Sequence, residues 1–341
     1  MRYVNLDPCR EIASIDLDND QQLCAILRRD KHTRIEGICT EKLFERTLVQ
    51  PTFSDYSTGW WFRRQQGNYR VIKFTHDIGQ IKSIDRLILD RFRKNGVRCF
   101  IVSFDEKEKD FYYLETSKCP GGFQKKDWHK LRSRFPKKRK AAPPIPKASE
   151  RNQVRLNQAI RMLASYRGLK SAALERVFAN CWLASGTYWD VDCFVFHENR
   201  ILAFEVKQKY PTAKGTFGLN VGLAKLFAFL SQTGIQVFHI ILTKPVKNDK
   251  IAAIDFYTKK PYRDKSNWIG LKFDRALLSK EKSFAPSKTS IFGANRLRYY
   301  HILPTSFHQI GKLGQENTTQ FIDFILGRTE PISDPKHLYL T

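Results

Sequence analysis

Trp189-Asp190-Val191-Asp192-Cys193-Phe194-Val195-Phe196 and Ile201-Leu202-Ala203-Phe204-Glu205-Val206-Lys207 stand on either side of the turn-like His197-Glu198-Asn199-Arg200. Both stretches are rich in β-branched and aromatic residues, so together they read as an antiparallel hairpin. With the turn centred between Glu198 and Asn199, Phe196 pairs with Ile201. The same register sets Asp192 opposite Glu205 and Asp190 opposite Lys207. Directly opposed side chains have Cβ atoms roughly 5 Å apart, so two carboxylates placed there repel each other. Such a pair needs a counter-charge, and a divalent cation supplies one. The period of two also puts Ile201, Ala203, Glu205 and Lys207 on one face, so the lysine emerges beside the acids.

Working outward, the segment before the hairpin reads as a helix over residues 171–184. Leu174, Val177, Phe178, Cys181 and Trp182 fall at i, i+3, i+4, i+7 and i+8, the spacing of one buried face. Glu175 lies at the edge of that face, where a carboxylate is expected to have a cationic partner. After the hairpin comes a polar loop with Pro211, Gly215 and Gly218, then a helix with Leu219, Leu223, Leu226, Phe227 and Leu230 on one side. A buried strand follows, Val237-Phe238-His239-Ile240-Ile241-Leu242. Strand, helix and strand imply a right-handed crossover that adds a third, parallel strand. The expected fold is therefore α/β, with a mixed central sheet flanked by helices. His239, inside an apolar strand, reads as a core histidine. Further on, residues 251–257, 268–273 and 297–303 read as strands and 318–326 as a closing helix.

Two carboxylates that hold a hard cation, with an ammonium beside them, are the parts that phosphodiester hydrolysis needs. Oxygen ligands with room for several waters favour Mg2+ or Mn2+ over zinc. A helix with Glu, a strand with Asp, a strand with Glu-x-Lys, a helix and a strand follow one another in that order. This arrangement resembles the PD-(D/E)xK nuclease superfamily, above all its Holliday-junction-resolvase and restriction-endonuclease-like branches, over residues 171–243. The resemblance implies a restriction-endonuclease-like core in which Asp192 and Glu205 bind the metal. It also implies that Lys207 assists the attacking water and that Glu175 is the helical acid. Asp190, two residues before Asp192 on the same face, competes with Glu175 to complete the site. DNA is the substrate implied, with a homodimer or a partner subunit of a DNA-processing complex as the expected assembly. The alternative is a catalytically silent nucleic-acid-binding subunit of a larger defence, recombination or transposition assembly.

Composition agrees with a polyanionic partner. The 341 residues carry a formal charge of +25, and a surplus of that size attracts nucleic acid. Between Lys118 and Lys170 there are sixteen Lys and Arg against two acids. Within that region Lys137, Lys138, Arg139 and Lys140 precede the proline-rich Pro143-Pro144-Ile145-Pro146, which reads as an extended linker over residues 136–150. The four cations are candidate phosphate contacts, as are Lys209 and Lys214; the basic run also looks like a nuclear import signal, which as a motif is weak. The linker divides the expectation into an N-terminal α+β domain, 1–135, and a nuclease domain with a C-terminal extension, 151–341. In the former, Trp60, Trp61 and Tyr69 alternate with Arg63, Arg64, Arg70 and Lys73. That pattern suits either stacking on bases or an amphipathic hairpin with its aromatic face inward. The seven cysteines are scattered without a C-x2-C pair, so neither a disulfide framework nor structural zinc is expected. Neither a signal peptide nor a membrane span is expected, and the expected compartment is the cytoplasm, or the nucleus in a eukaryote.

Overall fold

The computed structural model describes residues 12–119, 121–135, 152–183, 187–212, 215–248, 251–280, 282–285 and 297–338. The expected linker 136–150 with Lys137, Lys138, Arg139 and Lys140 lies outside the described residues, as does Lys214. The strands are β1 Tyr56–Ser57, β2 Trp60–Gln65, β3 Asn68–Thr75, β4 Arg98–Asp105, β5 Asp110–Glu115, β6 Ser133–Arg134, β7 Thr187–Val191 and β8 Cys193–His197. They continue with β9 Arg200–Lys209, β10 Phe217–Asn220, β11 Gln236–Thr243, β12 Asn267–Lys272, β13 Lys282–Ala285, β14 Leu297–Ile302, β15 His308–Lys312 and β16 Gln315–Glu316. The chain is mixed α/β. Among the described residues no helix is long and apolar enough to cross a membrane.

Two compact units form. The first comprises Met1–His32 and Ser57–Val191, the second Thr33–Tyr56 and Asp192–Thr341. This differs from a division at the proline-rich segment, because residues beyond that segment build the first core. In the first unit a six-stranded sheet runs in the order β6-β5-β4-β3-β2-β7. The helix Ser83–Lys94 connects parallel β3 and β4 and sets Phe92 against Phe62, with ring centroids 5.7 Å apart. The helix Leu169–Cys181 covers part of the other face, where Phe178 stacks on Phe74 at 5.2 Å and meets Phe111 at 5.4 Å. With cover on both sides, Trp60, Trp61 and Phe62 are all buried, so this end of the hairpin has no solvent face and those indoles are closed to bases.

In the second unit β9 is central. It pairs antiparallel with β8, Phe196 opposite Ile201 as expected, and parallel with β11. Glu198 and Asn199 have φ of 47° and 60°, the left-handed pair that a two-residue hairpin needs to match strand twist. Buried on both faces from Ile201 to Val206, β9 reads as the continuous apolar run of an internal strand. β12, β15 and β16 extend this sheet, whose order is β1-β8-β9-β11-β12-β15-β16. The helix Val221–Gln232 leads from β10 into β11. Leu219 belongs to β10, not to that helix, and β10 pairs with β14 in a separate sheet of order β10-β14-β13. Residues 251–257 are turn and the start of a short helix, Asp255–Thr258. Ala253 donates its N–H to Glu36 at 3.0 Å, and the Tyr257 hydroxyl meets Thr40 at 2.6 Å. Those bonds satisfy the segment without a sheet. Phe44, from the helix His32–Phe44, meets Phe204, Trp268 and Phe321 at 5.6–5.7 Å, which ties the early helix to the second core.

Candidate functional site

The stretch from Trp189 to Phe196 is not one strand. It breaks at Asp192, between β7 of the first sheet and β8 of the second. Asp190 therefore stands in register with Trp61 of β2 instead of opposite Lys207, because the backbone groups of β7 are used by the first sheet. Asp192 turns its carboxylate back onto β9, where Oδ2 accepts the N–H of Val206 at 2.6 Å. It stands one residue beyond the Cys193–Phe204 pair, and it and Glu205 both reach the ammonium of Lys207.

Lys207 Nζ lies 2.6 Å from Glu205 Oε1 and 3.6 Å from Asp192 Oδ2. Each carboxylate side chain is 2% exposed, and the lysine is 34% exposed. Taking a carboxylate out of water costs several kcal/mol unless charge and hydrogen bonds compensate. Here two of them converge on one ammonium that itself reaches solvent. Glu205 sits on a strand whose neighbours are all buried, so its position follows from the alternation of β9 and not from choice of rotamer alone. Among the described residues, no three His, Cys, Asp or Glu side chains form a metal-ligating group. The donor set is two carboxylates, which suits an ion that keeps several of its own waters, as Mg2+ does.

Glu175 belongs to the first unit, on the helix Leu169–Cys181. Its Oε1 accepts the indole N–H of Trp61 at 2.8 Å. Its charge also acts on Lys73, whose ammonium burial pushes below the usual lysine range, against the upward pull of Asp85 and Glu175. Neither Trp61 nor Lys73 was legible as a partner of Glu175. The only signal was a lone lysine inside Val71-Ile72-Lys73-Phe74.

Lys209 continues the face of Glu205 and Lys207. Its Nζ donates to the Gly218 carbonyl at 2.5 Å and lies 3.5 Å from His239 Nε2. Burial, and then the charge of Lys207, lower its pKa to about 8. The ammonium thus faces into the second unit, not outward as a surface phosphate contact would. His239 is 1% exposed; burial holds its imidazole well below the usual range, so the ring is neutral. With Nε2 facing an ammonium, Nδ1 carries the proton and donates to the Glu205 carbonyl at 3.3 Å. It is the satisfied core histidine that its strand suggested, and it buttresses the backbone of Glu205. The cysteine reading changes at one place: Cys24, Cys39, Cys99, Cys119 and Cys193 are free thiols, whereas Cys181 is disulfide-bonded.

No family model matches the chain, and neither a curated protein nor a solved structure does. The functional reading therefore rests on the site itself.

Proposed function

We propose that the chain is a divalent-metal-dependent DNA endonuclease with a restriction-endonuclease-like core, and that Asp192, Glu205 and Lys207 hydrolyse the phosphodiester bond. One observation carries this reading: two carboxylates, each 2% exposed, converge on an ammonium that is 34% exposed. A purely structural ion pair has no need to open its cation to solvent. The topology supports the same reading, because an antiparallel hairpin with a parallel third strand reached through a helix is what the resemblance implies.

Asp192 and Glu205 would hold Mg2+ or Mn2+, which when bound polarises the scissile phosphate and acidifies water. The Val206 N–H orients Asp192, and the buried residues on either side of Glu205 fix its place on β9. Lys207, whose ammonium is 34% exposed, would orient the nucleophile or offset charge that develops on the phosphate. Glu175 and Asp190 are in the first unit, so the proposal stands on the three residues of the second. DNA as substrate follows from the resemblance and the charge of +25.

The test is incubation of the purified chain with supercoiled plasmid, linear duplex, branched and single-stranded DNA in Mg2+ or Mn2+, beside Asp192→Ala and Lys207→Ala. Cleavage that needs the metal and falls at least about 100-fold in each variant is expected. Binding without cleavage of any substrate would favour the silent subunit.

A further inference from the structure

We infer that the arginine-bearing end of the first unit's sheet, half-exposed among the described residues, is a binding platform for a nucleic-acid strand, with Arg63 and Arg70 on its phosphates and Tyr188 beside them. The register places Tyr188 of β7 opposite Arg63 of β2, Arg63 opposite Arg70 of β3, and Arg70 opposite Arg98 of β4. Four neighbouring strands thus contribute one continuous row on one face. Like charges directly opposed across a sheet are destabilising, so three arginines in a row need an explanation.

Partners inside the unit explain only one of the three. Arg98 holds Glu115 with two bonds, 2.7 and 3.0 Å. Among the described residues no carboxylate pairs with Arg63 or Arg70, although Asp190 lies one step along the same face, in register with Trp61. Arg63 meets an aromatic ring instead, lying 5.5 Å above Tyr188. Burial raises the Tyr188 hydroxyl pKa while Arg63 and Arg70 pull it down, so both guanidiniums reach that ring's field. On the same face, Arg98 lies 5.6 Å above Phe100. The helix Leu169–Cys181 covers this face at Glu175–Trp61 and Phe178–Phe74 and leaves the arginine end half-exposed.

Guanidiniums that lack carboxylates and are flanked by aromatic rings match a phosphodiester strand in two ways. The planar fork takes a phosphate through two parallel bonds, and an adjacent ring offers a face on which a base stacks. The chain's charge of +25 adds long-range attraction for the same polymer. The platform does not depend on the nuclease reading, although β7 runs through Val191 directly into Asp192.

The experiment measures fluorescence anisotropy of a short labelled single strand and its duplex over a salt series, in a Lys207→Ala background so that no cleavage intervenes. Arg63→Gln/Arg70→Gln is expected to weaken binding at least about tenfold at low salt and to lower the salt slope for the single strand by about 1.4, at ~0.7 per lost phosphate contact. Arg63→Lys/Arg70→Lys keeps both charges and is expected to keep most of the slope. The thermal midpoint of the glutamine pair should not fall below that of its parent, since opposed like charges have been removed. No binding by the parent overturns the platform. So does unchanged affinity and slope in the folded glutamine pair. Cleavage by the unmodified chain is read separately and tests the nuclease reading on its own.

Discussion

Lys73 and Lys207 each sit in an apolar strand beside buried carboxylates, and they differ in the number of acids they meet and in their access to water. Lys73 is 7% exposed and Asp85 1%. Its ammonium donates to Ser57 Oγ at 3.1 Å and to the Thr58 carbonyl, and lies 3.3 Å from Asp85. Asp85 in turn accepts the Ser57 hydroxyl and the Lys82 N–H. Charge and hydrogen bonds are matched, and the cluster is closed. Lys207 has two acids and an opening to water. A closed, matched pair holds structure together, whereas a cluster whose cation opens to water leaves room for a metal and a substrate. Burial of charge alone would rank Lys73 above Lys207.

The largest effect that sharpens this contrast is expected from Asp85→Ala, which strands a buried ammonium and should cost about 3–5 kcal/mol in urea unfolding. Mg2+ should not restore that loss. Lys207→Met takes the ammonium away from two carboxylates that are each 2% exposed and should cost about 3 kcal/mol in chelator. Mg2+ should stabilise the native chain and this variant alike, by about 2.7 kcal/mol at a hundredfold excess over Kd. Gly270→Ala probes the second core without touching charge. A Cβ there would come within 2.5–2.7 Å of Phe324 and Ile310, so a loss of about 1–3 kcal/mol is expected with the Mg2+ response intact. Equal indifference of the Lys73 and Lys207 clusters to Mg2+ in thermal melts would erase the contrast.

The smallest effect is a pH dependence. Lys209 has a folded pKa of about 8, below its ordinary 10.5, so between those values the unfolded chain binds the extra proton and stability rises with pH. Below pH 8 the cost of burying the charge is present in full. Lys209→Met should therefore stabilise the chain at pH 7 and lose most of that advantage by pH 10, as paired urea titrations would show.

The second sheet was legible because its signals are local. A two-residue turn, alternation along β9 and a crossover helix are all written within residues 193–243, and they give the register that brings Asp192 to Glu205. The unit boundary was not legible. Proline and basic residues at 136–150 mark a break in composition, yet the helix Leu169–Cys181 and β7 complete the first sheet, and the helix His32–Phe44 completes the second core. Those attachments are made by Phe178 and Phe44 over long sequence separations, which no local pattern records. Asp190 was misplaced for a related reason. Alternation carries straight through Val191-Asp192-Cys193, and only the competing partner β2 reveals that the strand changes sheets there. Glu175 was correctly placed at the edge of a buried face, but its partner Trp61 comes from a strand more than a hundred residues earlier.

The most direct measurement is the rate of metal-dependent phosphodiester cleavage by the native chain, Glu205→Gln, Lys207→Met and Lys73→Met, each compared at matched folded fraction. Loss of cleavage by at least about 100-fold in the first two variants, with Lys73→Met cutting at close to the native rate per folded molecule, is the predicted result. Metal-dependent cleavage that survives in both Glu205→Gln and Lys207→Met would contradict the account.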